Sequence, residues 1–137
     1  MEQKIRQTPN PRPDPCKRMV EYLSQGVKPN STDIGACGEA MLMDRFEQTG
    51  CTVSQTPGSR TPVDIYADCK GTRIAVQAKT SLHEAPRGLR STDEAAVCRT
   101  AFERYAHAAL GRVSRVAGSL PEVEVRLLNC AEPPRGA

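Results

Sequence analysis

The sequence predicts an α/β domain, a mixed β-sheet flanked by helices in the order α-α-β-β-β-α-β. Three observations carry this. Two capped helical segments precede residue 51, three short strand-like runs separated by turn residues fill 51–79, and a helical period followed by an alternating run closes the chain.

Residues 1–13 are polar and carry Pro9, Pro11 and Pro13, which predicts a disordered or extended arm. Asp14 before Pro15 reads as an N-cap with Pro at the first helical position, opening a short helix through Met19, Val20 and Leu23 that stops at Gly26. Thr32 or Asp33 can cap a second helix from Ile34 to about Thr49, ended by Gly50. The runs 51–55, 63–67 and 72–79 follow, divided by 56–60 and by the turn 68–71, and read as an antiparallel meander. From Asp93 to Leu110 the apolar positions Cys98, Phe102, Tyr105 and Ala109 recur at helical spacing. The run 122–128 then alternates, with Val123, Val125 and Leu127 on one face. A strand, a crossover helix and a strand make a βαβ unit, expected to be right-handed. One domain over 14–130 and a frayed tail over 131–137 complete the organisation.

At 137 residues the chain suits a single core, and no apolar run approaches the ~18 residues of a membrane span. The start has basic residues without an apolar stretch behind them, so no secretory signal is read and a cytoplasmic location is expected. On that expectation the six cysteines are free thiols, mostly buried. None sits at zinc-ligand spacing from His83 or His107, which argues against a structural zinc. The net charge of +3 neither demands nor excludes a polyanionic partner. Every cationic side chain beyond residue 80 is an Arg, a bias that suits phosphate but also a solvated helix face.

The residues that carry chemistry lie in and before the second and third strands. Alternation puts Ile74, Val76 and Ala78 on one face of the third strand, with Gln77 and Lys79 on the other. In the second strand it puts Val63, Ile65 and Ala67 in the core, with Asp64 and Tyr66 opposite. Paired in common register, Asp64, Gln77 and Lys79 converge. Asp64 and the backbone carbonyl of Ala78 offer hard oxygens to Mg²⁺, while Lys79 can orient a water and offset phosphorane charge. The alternative is a simple ion pair at a strand end. Glu39 shares a helical stripe with Leu42, Met43 and Phe46, so its carboxylate points inward, to a metal or cation or back out to solvent.

The stretch from Gly38 to Ser81, GEAMLMDRFEQTGCTVSQTPGSRTPVDIYADCKGTRIAVQAKTS, resembles the core of PD-(D/E)xK nucleases, particularly archaeal-type Holliday-junction resolvases and Mrr-type restriction endonucleases. The resemblance covers about a third of the chain, and the order and spacing of its short motifs carry it. It implies a restriction-endonuclease-like sheet and a metal site in which Glu39 matches the helical acid, Asp64 the strand acid, Gln77 the first residue of an (E/Q)xK element and Lys79 its lysine. Metal ligation would fall to Glu39, Asp64, Gln77 and Ala78, with Mg²⁺ or Mn²⁺ as the cofactor. Gly58 and Ser59 resemble the Gly-Ser turn of the resolvases, where the Ser can approach a phosphate.

Two departures stand out: Val63 separates Pro62 from Asp64, and the amide Gln77 replaces an acid, as in Mrr-type enzymes. Ser59, Arg60, Arg87 and Arg90 are the candidate contacts to a phosphodiester backbone, with His83 in the same loop and Tyr66 beside Asp64 as lesser candidates. The resemblance implies a metal-dependent endonuclease acting on DNA, structure-selective like the resolvases or Mrr-like, and a homodimer. The alternative is a nuclease-fold module that binds nucleic acid or protein without cutting.

Overall fold

The structure, a computed structural model, describes residues 14–56 and 61–131. The expected arm, most of the expected tail, Gly58, Ser59 and Arg60 lie outside the described residues. Helix α1 (Pro15–Ser24) is capped by Asp14, whose carboxylate accepts from the Cys16 N–H, with Pro15 opening the first turn. Helix α2 (Ser31–Gln48) begins three residues earlier than expected, because Asn30 is its cap and accepts from the Asp33 N–H; Asp33 lies in the first turn instead.

Strands β1 (Thr52–Gln55), β2 (Ile65–Cys69) and β3 (Thr72–Thr80) form the expected antiparallel meander. The β2–β3 turn is only Lys70-Gly71, both at positive φ (53° and 87°), the geometry of a type I′ hairpin matched to strand twist. The third helix, α3 (Ser91–Glu103), stops short of the predicted span and is followed by a strand that sequence periodicity did not reveal, β4 (His107–Ser114). The last strand is β5 (Glu122–Leu127). The expected element order is present, with β4 added between α3 and the last strand.

The sheet runs β1-β2-β3-β4-β5. Strand β4, not the run at 122–127, is the parallel partner of β3 across the α3 crossover, and β5 returns antiparallel to β4. Sequence periodicity misread 104–110 because Ala108, Ala109 and Leu110 form helices well in isolation. Here they are a strand buried on both faces, whose near-continuous apolar run hides the alternation. The predicted stripe of α3 fails with it: the helix buries Val97 and Ala101, while Phe102 and Tyr105 are 62% and 94% exposed.

Helices α1 and α2 cover one sheet face through Met19, Leu42, Ile65, Val76 and Val113, and α3 covers the other through Val97, Ala101, Ala75 and Ala108. Val63 joins the α3 cluster although Ile65 and Ala67 join the α2 cluster. The chain therefore turns over at Val63–Asp64, just before β2 begins, and simple alternation does not extend across Asp64.

The cysteines correct another expectation. All six are paired: Cys16–Cys37 ties α1 to α2, Cys51–Cys69 joins β1 to β2, and Cys98–Cys130 fastens α3 to the segment after β5. The pairs are 18 to 32 residues apart in sequence and meet only through the topology; Cys51 and Cys69, for example, continue the β1–β2 register beyond Thr52 and Asp68. A chain long enough to fold without staples is not thereby barred from having them. Among the described residues no helix is long and apolar enough to cross a membrane.

Candidate active site

The backbone of Asp64 is fixed before its side chain is considered. Its N–H donates to the Val76 carbonyl at 2.8 Å, and its own carbonyl accepts from the Thr56 N–H at 3.0 Å and the Thr56 hydroxyl at 3.2 Å. From this anchored position Oδ2 accepts from the backbone N–H of Ala78 at 2.8 Å and from Nε2 of Gln77 at 3.3 Å. The predicted convergence of Asp64 with the Gln77–Lys79 end of β3 is thus present. Burial pushes the Asp64 carboxyl above its ordinary range, while the Ala78 N–H and the Lys79 ammonium pull against that rise.

Glu39 reaches the same place from α2. The stripe read from sequence holds, with Leu42, Met43 and Phe46 buried against the sheet. The close approach of this helix depends on two glycines that sequence reasoning did not single out. A Cβ on Gly38 would collide with the Thr80 side chain, and one on Gly111 would lie 2.8 Å from Leu42 Cδ2 and 3.0 Å from Val76 Cγ1. Gly38 therefore lets α2 rest directly on β3 at the residue after Lys79, which sets Glu39 beside Asp64.

The Glu39 carboxyl is raised by burial and by the charge of Asp64, against the hydrogen bond that Gln55 donates to its Oε1 at 2.6 Å. Gln55, at the end of β1, was also missed. Its only signal in the sequence was an amide at a strand end one turn residue before Pro57.

Arg112 is a further feature that the sequence did not reveal. Its strand was unrecognised, yet register places it beside Lys79. Its guanidinium donates to the Pro86 carbonyl at 2.7 Å and meets Glu124 at 3.5 Å, so it fastens the loop that follows β3. Of the proposed phosphate contacts in that loop, Arg87 and Arg90 are both exposed, and Arg90 also pairs with Asp93 in the first turn of α3 at 3.3 Å. His83 is exposed on the same loop. Tyr66 lies under the Arg73 guanidinium, 5.8 Å from the ring centroid, and packs toward the α3 cluster. His107, expected on a helix, starts β4 opposite Ile74, five register positions from the Lys79–Arg112 pair.

Two carboxylates are thus gathered with the amides of Gln55 and Gln77 and the ammonium of Lys79. Among the described residues no three His, Cys, Asp or Glu side chains are grouped so as to hold a metal ion by themselves. Such a donor set fits Mg²⁺ or Mn²⁺, which take one or two carboxylates, keep several waters and complete their shells with substrate phosphate. It does not suit a thiolate or imidazole metal. Burial raises the proton affinity of both acids, and at Glu39 the nearby Asp64 charge adds to it; a divalent cation would favour their charged forms. Of the Ala78 backbone, the amide is already engaged with Asp64, and ligation by its carbonyl stays an expectation.

No family model matches the sequence, and no curated protein matches it. Two solved structures are similar in part. One is Hjc, a Holliday junction resolvase from the archaeal hyperthermophile Archaeoglobus fulgidus, 21% identical, covering 56% of this chain and 62% of that chain with a TM-score of 0.48. The other is the bacterial homing endonuclease I-Ssp6803I, 15% identical, covering 77% and 83% with a TM-score of 0.45. The match thus spans less than two thirds of the resolvase's own length.

Proposed function

We propose that this chain is a metal-dependent endonuclease that hydrolyses phosphodiester bonds in DNA, with Glu39, Asp64, Gln77 and Lys79 as its catalytic group. The observation that supports it best is Asp64. A half-buried carboxylate is held by the Ala78 N–H on the strand that carries Lys79, with a second carboxylate, Glu39, close enough for the Asp64 charge to raise the proton affinity of Glu39. A bound Mg²⁺ or Mn²⁺ would supply Lewis-acid polarisation of the phosphate and a more acidic water.

The chain's own groups do the rest. Asp64 and Glu39 would hold the cation, and the Ala78 N–H and Gln55 aim their oxygens. Lys79 orients the attacking water and offsets charge that builds on the phosphorus oxygens. The Gln77 amide, now donating to Asp64, can present its oxygen after rotation about its terminal bond, since an amide carries donor and acceptor on one plane. Arg87 and the Ser59 and Arg60 positions would follow the backbone of the substrate. Structure-selective and Mrr-like activities both accord with this site.

The test is cleavage of labelled four-way junction, linear duplex and single-stranded DNA with Mg²⁺, Mn²⁺ or excess chelator. Metal-dependent cutting of any of them supports the reading, and the preferred substrate separates its two forms. A second reading rests on Gln77, which brings no charge where an acid would strengthen the site: a nuclease-fold module that binds without cutting. Intact substrates together with retained binding would select it.

A further inference from the structure

Lys79 and Arg112 are partners on the adjacent parallel strands β3 and β4. Ala75 and Ala108 lie an even number of residues earlier on the same strands and pack into the α3 cluster. The two-residue alternation of a strand therefore puts Lys79 and Arg112 on the α3 face as well. The loop from β3 to α3 leads onto that face, and its first part is tied down by backbone bonds. The Ser81 N–H donates to the Val113 carbonyl at 2.9 Å, and the carbonyls of Ser81, Leu82 and Glu84 accept from the N–H groups of Val116, Ala117 and Arg115 at 3.1 Å.

Beyond Glu84 these ties stop until the Glu94 N–H meets the Arg90 carbonyl at 2.9 Å in the first turn of α3. Among the described residues, one hydrogen bond holds the loop in between: Arg112 Nη2 donates to the carbonyl of the buried Pro86 at 2.7 Å. Leu89, packed against the α3 cluster, is the next fixed point. Arg87 and Gly88 therefore bridge two anchors, and the exposed Arg87 is mounted directly on the residue that Arg112 holds. Arg112 is itself steadied by Glu124 of β5, Nη1 to Oε1 at 3.5 Å, while its Nε is buried without a partner. A hydrophobic side chain of similar size would leave no such orphaned donor, so packing alone does not account for a guanidinium here.

We infer that Arg112 is a positioning residue for the substrate: by holding the Pro86 carbonyl it fixes Arg87 on the sheet face of Lys79, as a ready-made contact for a phosphate flanking the one at Lys79. An arginine on an untethered loop loses backbone and side-chain freedom when it binds DNA. Tethering removes part of that loss before the substrate arrives. Arg112 directs its donors to Pro86 and Glu124, so it acts on affinity through Arg87 and not by touching the phosphate. The inference rests on the proposed action on DNA and deepens it, by assigning a residue that sets substrate affinity apart from the chemical step.

Fluorescence anisotropy of the full chain on labelled duplex and four-way junction, in chelator and in Ca²⁺ from about 50 to 200 mM salt, tests it. Thermal melts show that each variant folds. Arg87→Ala should weaken binding by about five- to tenfold and lower the salt-dependence slope by about one. Arg112→Met should do the same, and adding Arg87→Ala to it should cost nothing further. Arg112→Lys, which keeps a charged donor for the carbonyl, should recover most of the affinity. In Mg²⁺ the Met variant should raise KM by the same factor, with kcat within about twofold of wild type. If the Met variant does not fold, Arg112→Gln, shorter and uncharged, takes its place. A wild type that binds DNA, with Arg112→Met equal to it in affinity and slope, would overturn the inference and leave the proposed function standing. Losses that add in the double variant, no recovery with Lys, or a fall in kcat with KM unchanged would overturn it too. A wild type that binds no DNA would overturn both.

Discussion

Where β2 and β3 meet α2, polar side chains are partly buried and each is held by a particular partner, Ala78 N–H and Gln77 on Asp64 and Gln55 on Glu39. Along β4 and β5 the backbone ladder and an apolar strand carry the packing, and large hydrophobic side chains are left at the rim. An inward-facing carboxylate is expensive unless it meets a cation. An apolar edge costs little until it meets another chain. The first half thus holds partly buried polar groups in fixed geometry, and the second packs through its backbone ladder and apolar side chains.

The comparison breaks most visibly through the disulfides, since they brace both halves. Each closes a loop of 18 to 32 residues, worth about 3–4 kcal/mol in the chain-entropy account. Reducing all three should move the urea midpoint further than losing any single bridge. Cys98→Ser with Cys130→Ser opens only the α3–β5 half and should cost about 3 kcal/mol, with metal-dependent cleavage by the folded fraction intact. A midpoint unmoved by reductant would show that the bridges do not brace the fold.

Gly38 probes the seam of the site half. Its replacement by Ala sets a methyl against Thr80 and should destabilise by about 1–3 kcal/mol. Because the displaced helix carries Glu39, cleavage should fall more steeply than stability. Adding Thr80→Ala makes room and should recover most of both; failure to recover would mean that the close approach of α2 to β3 does not set the site.

A smaller effect sharpens the electrostatics. The folded Glu39 carboxyl holds its proton more tightly than the unfolded one, because of burial and the nearby Asp64. The sign is therefore the reverse of a salt-bridged acid: the folded state loses stability as pH rises through the raised value. Glu39→Gln should melt a few degrees higher than wild type at neutral pH in chelator. The gain should vanish below the ordinary glutamate value of 4.5, where the carboxyl is protonated in both states. A gain that persisted at acid pH would point to packing rather than charge.

How much of this could be read from the sequence divides along the same line. Asp64, Gln77 and Lys79 stood out because polar residues interrupt apolar runs, and Glu39 because it lies on an apolar stripe; local pattern and spacing were sufficient. Helix caps at Asp14 and turn residues at Lys70-Gly71 were legible for the same reason. Strand β4 was not, since a strand buried on both faces has no period to distinguish it from a helix. Arg112 was lost with it. Gln55, Gly38 and the three disulfides escaped because their meaning lies in partners 16 to 42 residues away: Gln55 with Glu39, Gly38 with Thr80. Such partners appear only once the register is known.

The central claim is that the carboxylate held by Ala78 N–H beside Lys79 is a hydrolytic centre. Its most direct test compares wild type with Asp64→Asn, matched in fold by thermal melt and in DNA affinity by fluorescence anisotropy, for cleavage in Mg²⁺ and in Mn²⁺. The account predicts that wild type cuts and that the substitution lowers the rate by at least about a hundredfold with DNA binding retained. Equal cleavage by the two proteins would contradict it.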